Sequence, residues 1–331
     1  MSDNFKFVIV GTGNIAQSYV KAIGNIPDAE IVACISRGNR RPRGAPGDLP
    51  IRRELYQVDM DYDAVILAVP NGMHRDYAIE AAELGKHVLS EKCLEVSYGA
   101  MDDMIATCER CGVKLAVAYQ KRMYPHNCAM KFLLERGVAG KVFAVELDIK
   151  YFRTQAYYDS APYRGTWDID GGGAFIQQAA HDMDLLGWFF GTPVKTVSML
   201  GTFMHNMEAE DHGVAILRYA DGMIATITAS TCISPGYPAE MRIYTDKGNI
   251  LLKNDSIAEW NIDGVEPPRV ESDLEIHSAA SSAAVHATAG HELIIRDFID
   301  AVRSDREPAV SGQEARRASD IVLDIYTNNI R

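Results

Sequence analysis

No stretch of the 331-residue chain holds the roughly 18 consecutive apolar residues that a membrane-spanning helix needs, so no helical membrane partner is expected. Basic charge is in deficit. The 33 Lys and Arg face 45 Asp and Glu, giving a net charge of −12 at pH 7. A nucleic-acid binder is more often basic, so nucleic acid is not an expected partner. The N-terminus lacks the basic, apolar, small-residue order of a signal peptide, and a cytoplasmic location is expected. Cysteine is sparse. The six residues, Cys34, Cys93, Cys108, Cys111, Cys128 and Cys232, are scattered and read as reduced thiols rather than a disulfide framework. Cys108 and Cys111 have metal-ligand spacing, but no second pair accompanies them and they fall in a helical pattern. No metal is expected. The apolar content, 47%, and the length suit about two domains with a sizeable core.

What is present starts at Phe7-Val8-Ile9-Val10, followed by Gly11-Thr12-Gly13-Asn14-Ile15-Ala16. A short apolar run passes through G-x-G-x-x-A into a helical pattern. Gly11 permits a tight turn, Gly13 lets backbone approach a pyrophosphate, and Ala16 lets the helix pack on the strand. The first N–H groups of that helix, at Asn14 and Ile15, and its dipole would bind the anion. The alternative is a helix-packing turn without ligand. The strand before, the helix after and a second strand from Glu30 to Ile35 favour a dinucleotide site.

Strands are expected at 5–10, 30–35, 64–69, 87–90 and 114–118, with helices at 14–24, 74–85 and 97–111. Alternation of this kind implies a parallel sheet covered on both faces. After Tyr119 the pattern changes. A helix at 125–136 precedes a strand at 141–152, and a single helix is expected over 173–190. Strands at 194–204, 212–219, 223–232 and 240–245, with turns at 220–222 and 246–248, imply a largely antiparallel sheet. Helices at 289–303 and 312–326 close the chain. The expected fold is α/β: a Rossmann doubly wound parallel sheet over 1–120, then an α/β domain with an open, largely antiparallel sheet over 121–331.

The segment from Arg37 to Arg53 carries six arginines, three glycines and three prolines, so it cannot form a regular helix. A solvated loop is the ordinary reading. Its place directly after the second strand favours a functional one. A carboxylate there takes the ribose 2′-hydroxyl of NAD, whereas a small polar residue with Arg takes the 2′-phosphate of NADP. Ser36-Arg37 ends the strand, and no carboxylate follows until Asp48. Ser36, Arg37 and Arg40 or Arg41 suit a dianionic phosphate. NADP is the expected cofactor, with NAD the alternative.

Three further segments carry chemistry. Pro70-Asn71-Gly72-Met73-His74 sits at the carboxyl edge of the expected sheet, where Pro70, Asn71 and His74 either line a cofactor or simply open the next helix. Glu91-Lys92-Cys93 follows the strand at 87–90. It is either a surface ion pair or a lysine placed to exchange a proton with a substrate hydroxyl. Gly171-Gly172-Gly173 precedes Gln177 and His181, which share a face if one helix runs through them.

These residues together resemble the Gfo/Idh/MocA oxidoreductase family, named for glucose–fructose oxidoreductase, inositol dehydrogenase and a rhizopine-catabolism protein. The G-x-G-x-x-A turn, the A-x-P-N-x-x-H segment, Glu91-Lys92, Tyr119-Gln120-x-Arg122, the triple-glycine helix with His181 and the stretch from Asp297 to Gly312 follow the family's order across nearly the whole chain. The resemblance implies hydride transfer at a carbinol carbon of a sugar, sugar derivative or cyclitol. It makes Lys92 and His181 catalytic, with Gln177 where some members carry Asp. It implies cofactor contacts from Glu91, Lys92 and Gln120. Substrate contacts are expected from Lys92, Arg122, Tyr163, Arg164, Gln177 and His181. Two departures stand out. Cys93 replaces the usual proline, which removes the ordinary basis for a cis peptide and would bring a thiol toward the nicotinamide. The Arg/Pro/Gly loop also replaces the usual helix after the second strand.

Two other activities remain open: a glycoside-processing enzyme that oxidises transiently and eliminates, and a non-catalytic NADP-binding sensor. The second domain is expected to form a homodimer or homotetramer through an outward sheet face that includes Ile216, Ile224 and Ile227.

Overall fold

A computed structural model describes residues 4–271, 278–281 and 288–330. The chain divides into two units, one of residues 1–120 and 285–316, the other of residues 121–284 and 317–331. The expected second domain, 121–331, is therefore modified, since 285–316 belongs with the first unit.

The first unit is built on six parallel strands: β1 (Phe5–Val10), β2 (Ala29–Ile35), β3 (Ile51–Arg52), β4 (Ala64–Leu67), β5 (His87–Ser90) and β6 (Leu115–Val117). Their order, β3-β2-β1-β4-β5-β6, is that of a dinucleotide-binding doubly wound sheet. The central strands are apolar along their whole length because both faces are covered. Val65, Ile66 and Leu67 have no exposed surface. Helices α1 (Asn14–Gly24), α2 (His74–Glu83) and α3 (Tyr98–Arg110) make the connections, and the Ser97 hydroxyl caps α3 at Ala100 N. Residues 36–50 form the irregular segment that the prolines and glycines demand, and it ends in the two-residue β3.

The helix α7 (Ala289–Arg303) explains the reassignment of 285–316. It is amphipathic, and Ile294, Ile295, Phe298 and Ile299 are buried. The Phe298 ring meets Phe5 and Phe7 of β1, each at 6.3 Å between centroids. Burial of such a ring stabilises by about 1.5–3 kcal/mol.

The second unit holds α4 (Pro125–Glu135), α5 (Gln155–Asp159) and α6 (Ala180–Phe190) with seven strands. These are β7 (Val142–Lys150), β8 (Lys195–Gly201), β9 (His212–Arg218), β10 (Ile224–Ser230), β11 (Glu240–Thr245), β12 (Gly248–Lys253) and β13 (Ser256–Ile262). Their order is β13-β12-β11-β7-β10-β9-β8, with only β7 and β10 parallel. The division between units falls inside α8 (Gly312–Thr327), after Arg316.

Strict alternation sets the sheet's two faces. Ala215, Leu217, Ala225 and Ile227 are buried, while Met199, Val214, Ile216 and Ile224 are 42–60% exposed. Ile227, expected outward, points into the core, because it is odd-numbered relative to Ile224 on a strand of period 2. Among the described residues, no helix is long and apolar enough to cross a membrane.

Candidate functional site

In the first unit, Gly11 has φ +99° and a side chain there would run into the Ala68 carbonyl, so glycine is required. Gly13 is the N-cap of α1, without a side-chain cap, and open space surrounds the position of a Cβ. The exposed start of α1 at Gly13-Asn14 thus offers uncapped backbone N–H groups to an anion. Gln120 adds a buried amide oxygen with no partner among the described residues. Both features fit a dinucleotide.

At the end of β2, the Ser36 hydroxyl is buried and accepts from Arg40 N at 3.2 Å. Arg37 is exposed, and Met73 Sδ lies 3.9 Å from its guanidinium. Arg41 donates to the Leu49 carbonyl at 2.6 Å, tying the loop to itself.

The expected roles of His74 and Glu91 change. Asn71 opens a turn over Asn71–Met73 and is buried. His74 has no exposed surface. Its Nδ1 lies 2.9 Å from the Cys93 carbonyl and its Nε2 3.1 Å from the Val69 carbonyl. Burial pushes its pKa down against those hydrogen bonds. The ring cannot line a cofactor. It ties the loop after β4 to the loop after β5.

Glu91 is likewise turned inward. It accepts from the Tyr19 hydroxyl at 2.8 Å and lies 3.6 Å from His291 Nε2. Burial works against its charge, but His291, Lys92 and Tyr19 outweigh that and hold the carboxyl below its usual range. Its other oxygen accepts from Lys92 N at 3.2 Å, so Glu91 fixes the backbone that carries Lys92.

Lys92 leaves the carboxyl end of β5 half-buried, and the Lys92–Cys93 peptide is cis without a proline. The Cys93 thiol, expected toward the nicotinamide, is buried and directed to the Glu95 carbonyl.

In the second unit the single helix expected over 173–190 is two elements, a π turn at Ala174–Gln178 and then α6. Gln177 and His181 therefore do not belong to one regular helix. Glu210 explains the turn. Its carboxylate accepts from Gly173 N at 3.0 Å, Phe175 N at 2.9 Å and the Tyr326 hydroxyl at 3.0 Å. Its own carbonyl accepts from Ala174 N, and the Tyr326 oxygen from Ile176 N. Every N–H from 173 to 176 is thereby satisfied. A side chain at Gly173 would collide with the Glu210 carbonyl. Burial raises Glu210 to about 7 in spite of these bonds. Gln177 donates to Asp170 Oδ1 at 2.5 Å, and His181 is the second residue of α6.

Arg122, expected at substrate, is 2% exposed and committed to Asp184 through two bonds of 2.9 and 2.7 Å. Lys121 does the same for Asp182 and Asp255, at 2.7 and 3.0 Å. The Arg164 guanidinium lies 5.7 Å from the centre of the Tyr163 ring and donates through Nη1 to the Tyr157 hydroxyl at 2.7 Å. Sequence reasoning missed Glu210, Tyr326, Asp170 and Arg153. A carboxylate 37 residues from the backbone it caps leaves no local signal.

His205, Asp211 and Cys232 bring three ligand atoms within 4.8 Å of one another. Asp211 accepts from Phe203, Met204 and His205 N, and His205 Nε2 reaches the Arg153 carbonyl. The cluster closes the 202–211 loop by hydrogen bonding.

The strand order, the uncapped helix start and the required Gly11 agree with the family comparisons. A model described as "Oxidoreductase family, NAD-binding Rossmann fold" matches residues 5–119. One described as "GFO/IDH/MocA C-terminal domain" matches residues 128–251. The chain belongs to the GFO/IDH/MocA oxidoreductase family. It is an NAD-binding oxidoreductase.

Among solved structures, the WlbA dehydrogenase of Bordetella pertussis, in complex with NADH and UDP-GlcNAcA, is 29% identical. That match has a TM-score of 0.83 and covers 98% of this chain and 96% of the other. The myo-inositol 2-dehydrogenase of Thermotoga maritima is 24% identical over 94% of this chain and 92% of its own. The scyllo-inositol 2-dehydrogenase (NAD(+)) of Bacillus subtilis is 24% identical over 76% and 75%.

Proposed function

We propose that this oxidoreductase transfers a hydride between nicotinamide and a carbinol carbon of a sugar, sugar derivative or cyclitol. The observation that carries the reading is Lys92. It projects from the carboxyl end of β5, the strand edge where doubly wound sheets bind ligands. Its backbone is fixed by the buried Glu91 and the neighbouring loop by His74. Bound nicotinamide supplies the hydride acceptor or donor. Lys92 Nζ handles the alcohol proton, with His181 as the second proton-handling group. Gln177 is an amide and cannot act as a base, so its role is to orient a substrate hydroxyl. The relatives named above, two inositol dehydrogenases and a dehydrogenase solved in complex with UDP-GlcNAcA, support the substrate class.

The finer cofactor reading is NADP. Arg37 makes no ion pair among the described residues, and no carboxylate ends β2 to meet a ribose hydroxyl. Ser36-Arg37 therefore suits a 2′-phosphate. Assembly into a dimer or tetramer through Met199, Val214, Ile216 and Ile224 is proposed on the same footing, because these form an apolar outward patch on β8–β10.

The test is accumulation of reduced cofactor with a panel of sugars and inositols. Stoichiometric accumulation supports the reading. Product formed without net reduction would replace it with transient oxidation and elimination. Tight cofactor binding without turnover of any compound would make the protein a sensor.

A further inference from the structure

The second unit buries one cation, Arg153, without a carboxylate partner, and sets a half-buried one, Arg164, beside it. Arg153 is 4% exposed. It donates to Gln178 Oε1 at 3.0 and 2.7 Å, to the Phe152 carbonyl at 2.7 Å and to the carbonyls of Ala279 and Ala280 at 2.8 and 3.2 Å. Every one of those acceptors is neutral. Arg164 lies alongside. Its Nη1 bonds only the Tyr157 hydroxyl, and its buried Nε has no partner among the described residues. The two guanidinium carbons stand 5.9 and 4.4 Å from the centre of the same Tyr157 ring. Among the described residues neither cation has a carboxylate at ion-pair distance. Asp170 is an acidic group close enough to act on Tyr157. It gives one oxygen to Gly165 N and the other to Gln177, inside its own loop.

Burying an unpaired charge costs several kcal/mol. Contact with an aromatic face returns only about 0.5–2 kcal/mol. Arg153 has a structural use, since it ties Gln178 to residues 279–280. Arg164 has none of comparable weight, and it keeps donors unspent. The Tyr157 hydroxyl also accepts from Gln178 Nε2 at 2.9 Å, so both its lone pairs are occupied and its own hydrogen is left to donate. A planar guanidinium with open donors, beside a phenol hydrogen and a second cation, matches an oxyanion.

We propose that the substrate is an anionic sugar or cyclitol, whose carboxylate or phosphate group is bound by Arg164 and Tyr157 in the field of Arg153. This rests on the oxidoreductase reading above. Gln178 links both arginines to the π turn that carries Gln177, so the anion site belongs to the same segment as a proposed substrate contact.

The test compares matched neutral and anionic compounds by cofactor reduction. Glucose and galactose are paired with glucuronate and galacturonate for the carboxylate, and glucose and myo-inositol with their monophosphates for the phosphate. In the wild type at least one anionic member is expected to show a KM ten-fold or more below its neutral partner. Whichever arm responds identifies the anion. Arg164→Gln is expected to collapse that ratio by about 10- to 100-fold, the scale of a lost hydrogen bond to a charged group. Tyr157→Phe is expected to collapse it less. Thermal unfolding of each variant checks that the fold is kept. Neutral members turned over as well as anionic ones, or a preference that survives Arg164→Gln, overturns the anion site and leaves the oxidoreductase reading standing. Failure of every compound to reduce the cofactor overturns both.

Discussion

Replacing Arg122 by methionine removes one half of a buried ion pair and strands the other. Asp184 has no exposed surface, and its two oxygens are held by Arg122 Nε and Nη2 at 2.9 and 2.7 Å. The guanidinium also lies 5.5 Å from the Trp188 ring. Removing one partner of such a pair costs about 3–5 kcal/mol, because an uncompensated charge remains buried. For a unit of 150–250 residues, roughly 2–4 °C of melting temperature goes with each kcal/mol, so Arg122→Met should melt about 6–20 °C below the wild type. The double variant Arg122→Met with Asp184→Leu removes both charges and should recover most of that loss. Calorimetry on wild type, both single variants and the double variant measures the cycle. A single variant that melts within about 1 °C of the wild type but shows a raised KM would refute the reasoning, and would return Arg122 to the substrate.

Arg37→Ala should weaken NADP binding by about 1–3 kcal/mol and leave NAD nearly unaffected; equal losses in titrations of both cofactors would mean that Arg37 does not read the phosphate. Glu210, raised from 4.5 to about 7, favours the protonated form in the folded chain. The stability it contributes is full below pH 4.5 and is lost as pH rises through 7. The melting temperature of wild type relative to Glu210→Gln should therefore fall over that window, and a difference that is flat or rises with pH would contradict it. Light scattering at micromolar concentration should give a multiple of 36.5 kDa, and the single-chain mass would exclude assembly through the β8–β10 face.

The parallel sheet and the helices of the first unit were legible because each of its longer strands is a short apolar run bounded by turn residues. The second unit was less so. The hairpin between β12 and β13 turns at Asn254 and Asp255, with φ of +48° and +62°. Those values are the paired left-handed conformation that Asn and Asp tolerate, and the Asn-Asp dipeptide is its signal. The short β3 carries too few residues to show a period.

At the site, residue types were legible and directions were not. Glu91, His74, Cys93 and Arg122 lie in segments that reach the sheet edge or the helix start, yet each side chain turns inward, and all but Cys93 find a partner well along the chain. Glu91 meets Tyr19, 72 residues away, and Arg122 meets Asp184, 62 residues away. Pairings of that range are set by topology, and no local spacing reveals them. The π turn follows from the same cause, since the N–H groups of residues 174–176 are held by Glu210 and Tyr326, far along the chain from the Gly171–Gln178 segment.

The central claim is that Lys92 handles the substrate proton, and single-turnover hydride transfer by Lys92→Met measures it most directly. The variant should fold, still bind cofactor and lose on the order of 10²–10⁴ in rate, the scale of general acid–base catalysis. A Lys92→Met protein that transfers hydride at near the wild-type rate would contradict the account.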